Sequence, residues 1–208
     1  QTDAEVLQKF QITAPGIRVV QEDTLDLLGV PLFESGFQRV SVKWLHTTSV
    51  MFDRLKNLQS HTAFFLLKNC FAIPKLTYFL RSYPVWKHEH FMTTFDNQLR
   101  STIELILNVK LNDNSWTQAS LPTSLGGIGI RQLNDVSLPA YLSSAHGATE
   151  IVSHIYNLSD EIQVRYLTES LQIWRSLNEE IPASVTHQHS WDIINARRIL
   201  SSKLCLTN

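Results

Sequence analysis

Residues 49–83 read SVMFDRLKNLQSHTAFFLLKNCFAIPKLTYFLRSY, and the fold turns on how they are parsed. Met51, Leu55, Leu58, Thr62 and Phe65 recur at steps of four and three, and Leu66, Cys70, Ile73, Thr77 and Leu80 carry that spacing onto an adjoining face. This is the period of an amphipathic helix. Pro74 has no N–H to donate and its ring crowds the preceding turn. The helix should therefore kink there, or stop near Ile73 and restart with Pro74 in its first turn. Cations lie between the apolar positions, which makes the stretch a candidate for facing nucleic acid.

Upstream, Ala4, Leu7 and Phe10 suggest a short amphipathic helix over residues 1–11. The apolar runs 17–20 and 25–32, bounded by Pro15-Gly16, Glu22-Asp23 and Pro31, read as a small hairpin in which Gly29 permits close backbone approach. Beyond Gly36 the pattern is helical. Over 88–109, Phe91, Phe95, Leu99, Ile103 and Ile106 form one face and Asp96, Arg100 and Glu104 the other. A short helix over 112–119, capped by Asn or Asp, should be anchored by Trp116. Gly126, Gly127 and Gly129 mark a structural turn whose Ile128 and Ile130 plug into the core. Asp135 or Ser137 should cap the next helix, with Pro139 in its first turn. Further helices are expected over 159–178 and 191–206. The expected fold is mainly α: a small N-terminal β-hairpin over 1–38, a basic helical region over 39–110 and a second helical segment over 111–208.

A chain of 208 residues, 43% hydrophobic and 18% charged, can bury a core. Its two cysteines, Cys70 and Cys205, lack the paired spacing of a disulfide framework or zinc site, which suggests a reducing, intracellular setting, cytoplasmic or nuclear. No apolar run approaches the roughly 20 residues of a membrane span, and the first ten residues do not resemble a signal peptide. The start at Gln1 and the end inside an expected helix suggest a piece of a longer chain. The net charge of −1 hides an asymmetry: residues 1–38 carry 2 Lys/Arg against 6 Asp/Glu, residues 39–110 carry 10 against 4, and residues 111–208 carry 6 against 9.

Several chemistries are excluded by spacing. LGGIGI lacks the strand–turn–helix context and the glycine spacing of a dinucleotide loop, and no Gly-Lys-Ser/Thr follows it. His88, Glu89 and His90 are too close in sequence to face a metal from a helix. Asp23 and Asp26 lack the converging third carboxylate of a two-metal site, so no catalytic residue and no cofactor are assigned. The basic stretch survives. Arg54, Lys56, Lys68, Lys75, Arg81 and Lys87 can meet phosphates, and Tyr78, with Phe64, Phe71 and Tyr83, can stack on bases or pack in the core.

Four segments in order carry a resemblance: Leu27-Leu28-Gly29-Val30-Pro31-Leu32, Ile73-Pro74-Lys75-Leu76-Thr77-Tyr78, Trp116-Thr117-Gln118-Ala119 with Leu121-Pro122 and Leu125 to Arg131, and Gln188-His189-Ser190-Trp191-Asp192. Together they resemble the C-terminal part of reverse transcriptases of non-LTR retrotransposons. The resemblance implies that Leu28, Gly29, Val30 and Pro31 belong to the end of the palm, near the hairpin that grips the primer. It also implies that residues 39–110 are a thumb closing on an RNA/DNA template–primer duplex, and that later helices connect to the rest of the polymerase chain. The family's Tyr/Phe-x-Asp-Asp turn, which holds Mg²⁺ in the intact polymerase, has no counterpart here, because no Asp-Asp dipeptide occurs. This chain alone is not expected to polymerise DNA. The rival expectation is a helical protein-interaction module that binds no nucleic acid.

Overall fold

The two periodicities of the sequence give a hairpin followed by helices. The computed structural model describes residues 3–14, 16, 20–156 and 166–204. The chain divides into two units, Gln1–Val40 and Ser41–Asn208. In the first, α1 (Asp3–Thr13) precedes β1 (Asp26–Leu27) and β2 (Val30–Pro31), which pair antiparallel with Leu27 opposite Val30. The hairpin thus folds entirely within 25–32, not between that run and 17–20; Val20 is in no strand, and residues 17–19 lie outside the described residues. Leu28 and Gly29 make a two-residue turn with φ of 52° and 82°. Two left-handed central residues give the turn twist that suits antiparallel strands. Arg39 clamps the hairpin base, its Nη2 meeting Asp26 Oδ1 at 2.5 Å and its Nε donating to the Asp23 carbonyl at 3.2 Å.

The rest of the described chain is helical: α2 (Phe37–Leu55), α3 (Ser60–Leu66), α4 (Ile73–Ser82), α5 (Glu89–Leu107), α6 (Asp113–Ser120), α7 (Leu133–Tyr156), α8 (Leu167–Leu177) and α9 (Gln188–Ile199). The fold is mainly α with a two-stranded hairpin. Pro74 falls in the first turn of α4, as its missing N–H requires. Residues 49–83 are otherwise broken more often than their periodicity suggests. A turn separates α2 from α3, and a π-turn over Leu67–Phe71 separates α3 from α4, with the Ala72 N–H reaching the Leu67 carbonyl at 2.9 Å. The buried stripe is therefore Phe52 and Leu55, then Ala63, Leu67, Ala72, Leu76 and Leu80, with one step of five where the π-turn inserts a residue. Leu58 and Phe65, expected to be inward, are exposed.

The segment Ser60–Ser82 is, by length and a mean hydropathy of 1.2 over its best window, apolar enough to cross a membrane, contrary to the expectation that no such run exists. It is interrupted at 67–72; Leu67, Leu76, Phe79 and Leu80 are buried within the protein, whereas Phe65 and Tyr78 are exposed.

Helix α7 is central to the second unit and packs against α4, α5, α8 and α9. It begins at Leu133, so Asp135 and Ser137, expected to cap it, lie inside it, and a carboxylate from α5 meets its first N–H groups. Asp96 on α5, buried rather than on a polar face, accepts from the N–H groups of Leu133 and Asn134 at 2.6 and 3.1 Å and from Asn134 Nδ2 at 2.7 Å. The two backbone N–H groups are orphan donors of a helix start. Pro139 lies inside α7 instead of in its first turn. The carbonyl four residues earlier, on Asp135, would otherwise bond residue 139; it accepts Asn195 Nδ2 of α9 at 2.8 Å. Nearby, Trp174 and Trp191 meet edge to face at 4.8 Å, over Leu138 and Leu142. For the helix expected over 159–178, residues 159–165 lie outside the described residues.

Candidate nucleic-acid interface

The cations singled out in the sequence divide by what the fold does with them. Lys56 pairs with Asp53 at 2.5 Å on the rim of a groove of about 400 Å³ lined by Ser49, Phe52, Thr94, Asn97 and Gln98. Lys87 pairs with Glu169 at 3.2 Å, and its ammonium lies 4.4 Å from the centre of the Tyr166 ring. Lys68 is half-buried and donates to the Ile128 carbonyl at 2.9 Å, so it braces the glycine turn. Arg39, Arg100 and Lys110 are likewise paired with carboxylates. Much of the positive charge in 39–110 is therefore neutralised locally. Among the described residues of that region, Lys43, Arg54 and Lys75 have neither an ion pair nor a side-chain hydrogen bond, and all three are exposed.

Arg81 is exposed but held. Its Nε and Nη2 both donate to Gln188 Oε1, at 3.1 and 3.0 Å. Helix α4 thus presents Lys75, Tyr78 and Arg81 on its outer side at steps of three, while Leu76, Phe79 and Leu80 face the core, as does Tyr83 just past its end. Lys75, Tyr78 and Arg81 are the sequence candidates that the structure brings together; Arg54 closes α2 and is separate in sequence from them. Leu27 and Leu28 are exposed at the hairpin tip, whereas Val30 and Pro31 are buried.

The glycine turn has a steric basis. Gly126 and Gly129 have φ of 80° and 76°, and a Cβ on Gly127 would sit 2.0 Å from the Leu121 carbonyl oxygen. Gln118 Nε2 closes the turn on the Gly126 carbonyl at 2.8 Å. Ile130 is buried as expected, but Ile128 is exposed. A cavity of about 200 Å³ between the turn and the start of α4 is lined by Lys68, Ile73, Pro74, Thr77 and Arg131.

Residues outside the cation list complete this region. Arg131 Nη2 lies 4.0 Å from Asp192 Oδ1, with both side chains largely buried. Burial pushes Asp192 up to about 6, against the pull of Arg131 and His189. Burial likewise pushes Asp96 up to about 7, against the three hydrogen bonds that favour its charge. The signal for Arg131, Gln188 and Asp192 is their place in the segments that carry the resemblance; charge and periodicity do not single them out. Compared with known proteins, the chain matches no family model, no curated protein and no solved structure.

Proposed function

We propose that this chain is the primer-grip, thumb and connector region of an RNA-directed DNA polymerase of the non-LTR retrotransposon type. In this reading it holds a template–primer duplex by its phosphates, without reading bases. The observation that carries the reading is that three of the four segments behind the resemblance come together, directly or through residues that flank the second of them. Lys68 and the start of α4 meet the glycine turn, Arg131 of that turn faces Asp192, and Gln188 holds Arg81 of α4. This bracing leaves Lys75, Tyr78 and Arg81 outward. Polymerase chemistry would come from the rest of the longer chain. The buried carboxylates here do not suit Mg²⁺, because Asp96 is committed to the α7 amides and Asp192 faces Arg131.

Titration against an RNA/DNA hybrid at two salt concentrations tests the reading. Affinity should fall steeply with salt, and Lys75→Glu and Arg54→Glu should weaken it more than Arg175→Glu on α8. No detectable binding at low salt would sink it. A second reading, docking of a protein on the hairpin, draws on the outward leucines Leu27 and Leu28, the latter 81% exposed.

A further inference from the structure

The geometry points to a subsite for one unpaired nucleotide on the outer side of α4, with the base stacked on the Tyr78 ring and the adjoining phosphate taken by Arg81. It rests on the nucleic-acid reading above and narrows it, since a duplex keeps its base faces covered along its length. Neighbouring rings are used by the fold: Trp44, Tyr83 and Phe91 surround Phe79 at centroid distances of 6.2, 5.7 and 6.5 Å. Tyr78, one residue before Phe79, turns the other way and is 51% exposed, with no ring or hydrogen-bond partner among the described residues.

An exposed ring alone is common. Arg81 distinguishes this one. It lies one turn further along α4, at the spacing that puts side chains side by side on a helix. Its two bonds to Gln188 Oε1 fix the guanidinium fork, which an exposed arginine would otherwise have to order on binding. Nη1 makes neither of those bonds and remains to meet a phosphate oxygen. Lys75, one turn toward the N-terminus, adds an unpaired cation on the other side of the ring. A flat ring between two cations complements a base between two phosphates, and every base offers the same π-face, so the subsite tolerates any sequence. Gln188 is then a positioning residue: it acts on the nucleotide through Arg81.

The test uses the 208-residue chain with two probes of one sequence, a short single-stranded RNA carrying 2-aminopurine and the blunt RNA/DNA hybrid. Tyr78→Ala should weaken single-strand binding about tenfold and abolish quenching of the 2-aminopurine, should weaken hybrid binding far less, and should leave the thermal midpoint unchanged. Tyr78→Phe should keep both the affinity and the quench. Gln188→Ala should weaken single-strand binding with the quench at saturation intact, because the ring is still present. If Tyr78→Ala leaves single-strand affinity and quench unchanged, the subsite is wrong, and hybrid binding that still falls with Lys75→Glu preserves the broader reading. Single-strand binding sensitive to Tyr78 with no hybrid binding would keep the subsite and overturn the duplex grip. Failure to bind either probe overturns both.

Discussion

Asp96 shows how a single buried group can set the pH response of the protein. Desolvation outweighs three hydrogen bonds and raises its pKa from 3.8 to about 7. Between those values the native state holds a proton that the unfolded chain releases. The stability this group contributes is therefore full below about pH 4 and is lost as the pH rises through 7. Asp192, raised to about 6 beside Arg131, acts in the same direction. The thermal midpoint should fall between about pH 4 and 7, and Asp96→Asn, which keeps an acceptor for the Leu133 N–H, should flatten that fall. An undiminished slope in the variant would refute the assignment. No sequence pattern exposes this role: Asp96 fits the polar stripe of α5 with Arg100 and Glu104, and only the approach of α7 turns it into a cap. The bond from Asn195 to the Asp135 carbonyl is equally hidden, since it joins residues 60 apart. Asn195→Ala should cost about 1–3 kcal/mol in urea unfolding by leaving that carbonyl unsatisfied. Pro139→Ala restores the N–H that this carbonyl lacks, so it should recover part of the loss in the Asn195→Ala background.

At the scale of elements, the glycines separate structural need from tolerance. Gly127→Ala puts a Cβ against the Leu121 carbonyl, and it should destabilise by about 2 kcal/mol or more because backbone must shift. Gly147 lies inside α7, where an added Cβ meets nothing within 4 Å, so Gly147→Ala should instead stabilise by about 0.5–1 kcal/mol. Denaturation midpoints of the two variants moving in the same direction would contradict this account of the turn. The glycine turn, the Asn112 cap, the Trp116 anchor and the inward face of α5 are legible in the sequence, because each depends on residues a few positions apart. The inward face of 49–83 escapes periodicity for a physical reason. A fixed 3.6-residue period cannot represent the turn after Leu55 or the five-residue step from Leu67 to Ala72, and each resets the phase of the residues downstream. Pro139 misleads in a similar way: a proline reads as a helix start, but the missing bond is made up by a side chain distant in sequence.

Across the whole molecule, charge is where sequence and structure diverge most for function. The excess of cations over 39–110 is real, but carboxylates and carbonyls pair with Arg39, Lys56, Lys68, Lys87, Arg100 and Lys110. A cation already held by the fold gives up that partner before it can bind phosphate, so it adds less to affinity than an unpaired one. This separates two lysines that the sequence treats alike. Lys68→Met should lower stability by about 1 kcal/mol, because the Ile128 carbonyl and the glycine turn lose their brace, and should leave the salt dependence of hybrid binding unchanged. Lys75→Glu should leave stability unchanged and reduce the slope of log affinity against log salt by about one phosphate contact. Measuring both quantities for both variants separates grip from scaffold. If Lys68→Met flattens the slope as much as Lys75→Glu, the positive surface extends past α4 into the turn, and the phosphate path crosses the cavity between them rather than following the outer side of the helix.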